Sequence, residues 1–200
     1  MIPAAALLFW DVDTQVDFME PGGKLYVPGA EKVVGNVQRL NAWAKSHGVQ
    51  VLSSMDAHLP TDPEFKDYPP HCLAGTPGQK KVAGTILTKP FVVPNREITL
   101  PDDLSSFDQI IVEKQTTDVF TNPNIEPLVQ KIAKGNEIVL YGVVTEICVD
   151  KAAHGLIERG HRVHIVSDAV QHLNADAAQN TIKDILQNGG RVLTTDDVVE

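Results

Sequence analysis

The fold is decided by residues 137–150, whose sequence is EIVLYGVVTEICVD. An apolar run of strand length, Glu137–Tyr141, leads through Gly142 to Thr145, a residue type that can cap a helix. The helical pattern that follows extends to Arg159. A strand that passes directly into a helix is the repeating unit of a parallel α/β fold.

The same alternation extends in both directions from this segment. Further strands are predicted at Ala4–Trp10, Val49–Met55, Gln109–Glu113, Val163–Val166 and Arg191–Thr194. Further helices are predicted at Ala30–His47, at Ile125–Ala133 and from Asn174 or Asp176 to Gly189–Gly190. Residues 57–108 lack clear periodicity and are predicted to be a long loop, which usually has a functional reason. The pattern predicts one α/β domain over residues 1–200. It would hold a parallel sheet of about six strands with helices on both faces, a three-layer sandwich.

The composition argues against several classes of protein. The formal net charge is -9, and an acidic surface repels phosphate backbones and anionic lipids, so we expect neither nucleic acid nor membrane as a partner. The two cysteines are too few for a disulfide framework, which favours a cytoplasmic location. The motifs of serine hydrolases, P-loop enzymes and dinucleotide-binding enzymes are absent from the sequence.

Chemically reactive side chains follow several of the predicted strands. Asp13, Asp56, Lys114 and Cys148 each lie just beyond the end of a strand. Parallel strands end at one edge of their sheet, and ligands bind at that edge. We therefore expect these four residues to converge.

Cys148 is the candidate nucleophile. It would lie in the first turn of the predicted helix, where unpaired N–H groups and the positive end of the helix dipole stabilise a thiolate. The same N–H groups could hold an oxyanion. A protonated Lys114 nearby would support the thiolate. The alternative for Cys148 is a small apolar side chain packed beneath the helix, which is where a free cysteine usually lies.

A second group of residues has the chemistry of a metal site. Asp56, His58 and His71 supply one carboxylate and two imidazoles, and Glu64 offers a further oxygen. This set suits a divalent transition metal that keeps open positions for water. The alternative is that the two histidines are unrelated loop residues.

Together these residues resemble the nicotinamidases, within the isochorismatase-like cysteine hydrolase superfamily. The matching segments, in chain order, are DTQVDF at 13–18, DAH at 56–58, YPPHCLAGTPG at 68–78, Lys114, and GVVTEICV at 142–149. They span most of the chain. The segment 68–78 and the segment around Cys148 are the specific ones.

The resemblance implies a catalytic triad of Asp13, Lys114 and Cys148. Asp13 would take the thiol proton and later pass it to the leaving ammonia, and Lys114 would hold the charges. Cys148 would attack the carboxamide carbon and form a thioester that water hydrolyses. The backbone N–H groups of Val144 and Cys148 would form the oxyanion hole. A cis peptide bond is implied between Val143 and Val144.

The resemblance also implies one divalent metal ion, zinc with iron and manganese as alternatives, and a ligand set of Asp56, His58, His71 and Glu64, with water completing the shell. The metal would hold the pyridine nitrogen of the substrate. Phe18 and Tyr68 would sandwich the ring. The implied reaction converts nicotinamide and water to nicotinate and ammonia.

Two positions depart from the family pattern and leave the substrate open. Tyr68 stands where many nicotinamidases have tryptophan, and Glu64 stands where some have a third histidine. One alternative is therefore a hydrolase of another small carboxamide or ureido compound on the same fold. Another is a non-catalytic metal-holding or interaction protein, although Asp13, Lys114 and Cys148 together argue for catalysis. We expect a homo-oligomer.

Overall fold

A single parallel sheet forms the centre of the protein. The structure, a computed structural model, describes residues 3–135 and 137–200. Its strands are β1 (Leu7–Val12), β2 (Val51–Asp56), β3 (Pro90–Val93), β4 (Gln109–Lys114), β5 (Glu137–Val143), β6 (Val163–Gln171) and β7 (Val192–Leu193). All pairs are parallel, in the order β3-β4-β2-β1-β5-β6-β7. The predicted parallel α/β sheet is confirmed, with seven strands in place of about six.

Helices cover both faces of this sheet. Within the described ranges they are α1 (Val16–Met19), α2 (Val34–Ser46), α3 (Ile125–Ile132), α4 (Asp150–Glu158), α5 (Ala175–Gln187) and α6 (Thr195–Val199). Leu8 and Trp10 of β1 belong to a core with α3, α4 and α5, whereas Leu7 and Phe9 belong to a core with α2 and α6. Because successive strand residues point to opposite faces, β1 is apolar throughout. Full burial of a side chain such as Leu8 contributes about 1.5–3 kcal/mol.

Several predicted boundaries were wrong. Residues 57–108 are not all loop, since they contain β3, a short edge strand that begins at a proline and carries little periodic signal. The first strand starts at Leu7, because Ala4–Ala6 form a 3-10 turn. The strand β6 runs five residues beyond Val166, through polar residues that interrupt the apolar pattern.

The helix ends also differ from the prediction. A 3-10 turn at Ala30–Lys32 precedes α2, which begins only at Val34. Thr194 was assigned to the last strand but caps α6, where Thr194 and Asp197 form a capping box. Asn174, one of the two predicted starts of α5, accepts a hydrogen bond from the Ala177 N–H group. None of the described helices has the length and apolar character needed to cross a bilayer.

The ends of four central strands lie side by side. Asp56 at the end of β2 pairs in register with Lys114 at the end of β4, and Val12 of β1 pairs with Gly142 of β5. A Cβ atom at Gly142 would lie 2.0 Å from the carbonyl oxygen of Val12, and the φ angle of Gly142 is +116°. Only glycine therefore permits this close approach of β5 to β1 just before the Cys148 turn.

Candidate active site and metal site

The structure places Asp13 and Cys148 around the buried ammonium group of Lys114. The Lys114 Nζ atom lies 2.9 Å from Asp13 Oδ2 and 3.7 Å from Cys148 Sγ. The same ammonium group contacts Asp56 Oδ1 and donates a hydrogen bond of 3.0 Å to the Thr116 carbonyl. All four charged or reactive side chains are buried, so their interactions are little screened by water.

Asp13 is held by its backbone and by a neighbouring strand. It directly follows β1 and has a φ angle of +48°, a left-handed conformation that aspartate tolerates better than most residues. Its Oδ1 atom accepts a hydrogen bond of 2.6 Å from the Ser54 hydroxyl of β2. The other oxygen, Oδ2, is the one that faces Lys114. Ser54 was not among the predicted site residues.

Cys148 lies in a π-helical turn, Thr145–Val149, that precedes α4. The predicted single α-helix from Thr145 was therefore wrong at its start. The Val144 carbonyl accepts the N–H groups of Ile147 and Val149, at 3.0 and 3.1 Å. The Val143–Val144 peptide bond is cis, as the family resemblance implied. Single π-helical turns are frequent at functional sites.

Burial changes the protonation of this cluster. Burial raises the pKa of the Cys148 thiol well above its ordinary value, although the Lys114 charge opposes this. Burial therefore opposes the stabilisation of a thiolate that was expected at this position. Burial and the Asp56 charge also raise the pKa of Asp13, against the lowering effect of Lys114. A carboxylate with a raised pKa is better matched to accept a thiol proton.

Lys114 remains charged in spite of its burial. Burial lowers the pKa of Lys114, but the charges of Asp13 and Asp56 outweigh it, so the pKa lies well above its ordinary value. For Asp56, burial raises the pKa, but Lys114 and the nearby imidazoles of His58 and His71 lower it far below its ordinary range. The site therefore contains a positively charged Lys114 beside a negatively charged Asp56.

Asp56, His58 and His71 form a compact group of possible metal ligands. One ligand atom from each lies within 4.8 Å of the other two. Asp56 Oδ2 lies 3.7 Å from His58 Nε2 and 3.6 Å from His71 Nε2. The His58 Nε2 atom is buried and has no hydrogen-bond partner in the described structure. An unsatisfied buried imidazole nitrogen facing a carboxylate fits a divalent metal ion.

The Nδ1 atoms of His58 and His71 already have polar partners. His58 Nδ1 lies 3.0 Å from Asp62 Oδ2, and His71 Nδ1 lies 2.8 Å from the Pro69 carbonyl. Such contacts orient each imidazole and leave Nε2 for a metal. Asp62 was not among the predicted site residues, although its position four residues after His58 was a signal available in the sequence.

Glu64 lies at the edge of this group. Its Oε1 atom is 3.8 Å from His58 Nε2 and 3.9 Å from His71 Nε2. Burial, together with the Asp56 charge, raises the pKa of Glu64. Ligation of the metal by Glu64 stays a prediction.

A cavity of about 120 Å³ lies beside both groups. Its lining includes Cys148 and Val144 from the nucleophile turn and the two predicted ring contacts, Phe18 and Tyr68. This volume is well below the roughly 300–1,000 Å³ typical of sites for drug-sized ligands. The cavity therefore suits a small substrate. The sequence analysis missed other lining residues, among them Leu173.

The lining of the cavity contains acidic side chains but no strongly basic ones. Among the described residues that line it, Asp56 and Glu64 are acidic, and His71 is a histidine. Lys114 does not line it and is already bound by two carboxylates. A substrate carboxylate would find no arginine or lysine side chain in this lining.

Curated relatives cover most of this chain. It is 23% identical over 190 residues to N-carbamoylsarcosine amidase of Arthrobacter sp., covering 94% of this chain and 68% of that protein. It is 25% identical over 191 residues to maleamate amidohydrolase of Pseudomonas putida, covering 92% and 83%. It is 23% identical over 188 residues to the nicotinamidase/pyrazinamidase of Mycobacterium tuberculosis, covering 87% and 91%.

Solved structures show the same fold. N-carbamoylsarcosine amidase from Thermoplasma acidophilum superposes with a TM-score of 0.76 at 22% identity, covering 95% of this chain and 96% of that one. Pyrazinamidase of Pyrococcus horikoshii in complex with zinc superposes with a TM-score of 0.75 at 23% identity, covering 94% and 99%. The isochorismatase domain model matches residues 5–197. The chain therefore belongs to the isochorismatase domain family of hydrolases.

Proposed function

We propose that this protein is a metal-dependent cysteine amidase that converts nicotinamide and water to nicotinate and ammonia. The observation that carries the proposal is the position of Asp56. One of its oxygens contacts Lys114 beside Cys148, and the other faces the Nε2 atoms of His58 and His71. A ring that is bound at the metal group would therefore lie next to the nucleophile.

The first half of the reaction acylates Cys148. Asp13 accepts the thiol proton as the sulfur attacks the carboxamide carbon, and Lys114 balances the charge that develops on the two side chains. The N–H groups of Val144 and Cys148 stabilise the oxyanion. The C–N bond then breaks, and the proton on Asp13 passes to the nitrogen, which leaves as ammonia.

The second half releases the acid. A water molecule enters the space that ammonia vacated. Asp13 takes a proton from this water while the water oxygen attacks the thioester carbon. The carbon–sulfur bond breaks, the proton on Asp13 passes to the sulfur of Cys148, and nicotinic acid leaves and loses its own proton to water, which gives nicotinate. Asp13 thus acts as a base in both halves, which suits a carboxyl group whose pKa burial has raised.

Asp56, His58 and His71 would hold the metal, with Glu64 or water as further ligands. Once bound, the ion would supply a Lewis acid for a ring nitrogen of the substrate and would thereby help to orient the ring. The zinc named for the Pyrococcus horikoshii pyrazinamidase supports zinc. Phe18 and Tyr68 line the cavity and provide aromatic surfaces for the ring.

The side chains of the cavity support a neutral substrate. Maleamate and N-carbamoylsarcosine each carry a carboxylate, for which the described lining offers no arginine or lysine side chain as a partner. Nicotinamide is neutral and planar. An uncharged ring amide is therefore a better match than the substrates named for the two amidase relatives.

Ammonia release from nicotinamide, maleamate and N-carbamoylsarcosine tests the proposal. For zinc-loaded protein we expect kcat/KM with nicotinamide to exceed that of the other two by about 100-fold or more, since an unpaired buried charge is strongly rejected. Protein that has been dialysed against a chelator should lose most of this activity, and zinc should restore it. Equal or faster hydrolysis of either carboxylate-bearing amide would contradict the proposal.

A further inference from the structure

The segment 171–174, which runs from the last residue of β6 to the residue before α5, forms one side of the cavity entrance. We call it the mouth segment. Its Leu173 lines the cavity together with Ile147 and Cys148, yet Leu173 remains 55% exposed. A large apolar side chain that is both part of the lining and open to solvent lies at the entrance rather than in the interior.

Hydrogen bonds fix the mouth segment to the nucleophile turn. Glu146 Oε1 accepts the N–H group of Leu173 at 2.8 Å and that of Asn174 at 2.6 Å. The Thr145 hydroxyl donates to the Gln171 carbonyl at 2.9 Å. Thr145 and Glu146 lie three and two residues before Cys148 in the same turn, so the position of Leu173 is set relative to the nucleophile.

The mouth segment is also joined to another segment of the cavity lining. The Gln171 side chain donates a hydrogen bond of 2.7 Å to the Pro28 carbonyl. A Cβ atom at Gly29 would lie 2.4 Å from Gln171 Nε2, which shows how closely the two segments pack. Val27 and Tyr26, just before Pro28, line the cavity. The entrance is therefore bounded on two sides by segments that are tied together.

We propose that Leu173, positioned by Glu146, is a specificity-determining residue that limits the substrate to an amide of a single ring. The proposal rests on the proposed function and names the residue that sets its size limit. An apolar side chain fixed at the entrance leaves the small cavity no room to extend outward. A second fused ring would have to displace the side chain of Leu173, whose backbone is held in place by Glu146.

The substitution Leu173→Ala tests this role with larger substrates. We expect the ratio of kcat/KM for quinoline-3-carboxamide or isoquinoline-4-carboxamide to kcat/KM for nicotinamide to rise about 10-fold or more for at least one of the two bicyclic amides, since a few methyl groups in an apolar pocket decide discrimination of this size. Leu186→Ala removes a leucine of α5 that is similarly exposed but does not line the cavity, and it should leave both ratios unchanged.

Substitutions of Glu146 separate the effect of positioning Leu173 from the effect of the size of its side chain. Glu146→Ala keeps the leucine but removes the acceptor of the two N–H groups, so its ratios should move in the same direction as those of Leu173→Ala. Glu146→Gln retains an acceptor oxygen and should restore ratios close to those of the wild-type protein. If Glu146→Ala left the ratios unchanged, the positioning role of Glu146 would be overturned.

Alkylation of Cys148 tests the entrance independently of the substrate. The rates of modification by iodoacetamide and by the bulkier N-phenyliodoacetamide are measured at Cys148 by peptide mass spectrometry. Leu173→Ala should raise the relative rate of the bulky reagent about 10-fold, whereas Leu186→Ala should not change it. If wild-type protein fails to hydrolyse nicotinamide, the proposed function is wrong, but this ratio still decides the role of Leu173. Unchanged alkylation and substrate ratios in Leu173→Ala would overturn the inference.

Discussion

Cys148→Ala should abolish amide hydrolysis while the protein stays folded. The sulfur is the atom that forms the bond to the carboxamide carbon, and neither Asp13 nor Lys114 can replace it as a nucleophile in this geometry. We expect kcat/KM to fall by more than about 10³-fold, which corresponds to roughly 4 kcal/mol of transition-state stabilisation. The measurement is ammonia release, with urea unfolding of the same sample to check the fold.

The second cysteine provides the control. Cys72 is buried, and burial raises the pKa of its thiol far above the ordinary value. It does not line the cavity. Cys72→Ala should therefore keep most of the activity. Substantial hydrolysis by Cys148→Ala, or equal losses in the two variants, would mean that Cys148 is not the nucleophile.

Lys114→Met should reduce both stability and activity. Lys114 is the buried cation between Asp13 and Asp56, and its removal leaves two carboxylates facing each other without a partner. Breaking a buried ion pair on one side typically costs about 3–5 kcal/mol. Urea unfolding should show a loss of this size, and hydrolysis should be lost even where the variant is fully folded.

The stability loss should depend on pH in a defined direction. Without Lys114, the main group that lowers the pKa of Asp13 is gone, so this pKa should rise further. The folded variant then binds a proton more tightly than the unfolded chain does. Its stability relative to the wild-type protein should therefore recover as the pH falls. A loss that grew as the pH was lowered would contradict this account of the charges.

A second buried lysine separates stability from catalysis. Lys81 Nζ lies 3.2 Å from Asp11 Oδ2, and neither residue lines the cavity. Lys81→Met should destabilise the protein by a comparable amount but retain hydrolysis in the folded molecules. Lys81→Met is expected to retain activity. If Lys114→Met also retained activity, Lys114 would have only a structural role.

Features set by local sequence were predictable. The apolar run before Gly142 and the reactive residues after the strands indicated a parallel sheet with Asp56, Lys114 and Cys148 at one edge, because strand direction alone brings such ends together. The four-residue strand β3 escaped prediction, since an edge strand gives little periodic signal.

Features set by distant contacts were not predictable from one sequence. Leu173 joins the site only because Glu146 and Gln171 fix the mouth segment, and those contacts span 26 residues or more. The burial of Cys148 was not predictable for a similar reason. Its position near the start of a helix was visible in the sequence, but the burial that raises the pKa of its thiol was not.

Partitioning of the acyl-enzyme between water and hydroxylamine tests most directly whether catalysis passes through a thioester on Cys148. Nicotinamide and methyl nicotinate would form the same nicotinoyl group on the sulfur, although they lose different leaving groups. At one hydroxylamine concentration both substrates should therefore give the same ratio of nicotinohydroxamate to nicotinate. Different ratios for the two substrates, or no hydroxamate from either during turnover, would contradict a common thioester on Cys148.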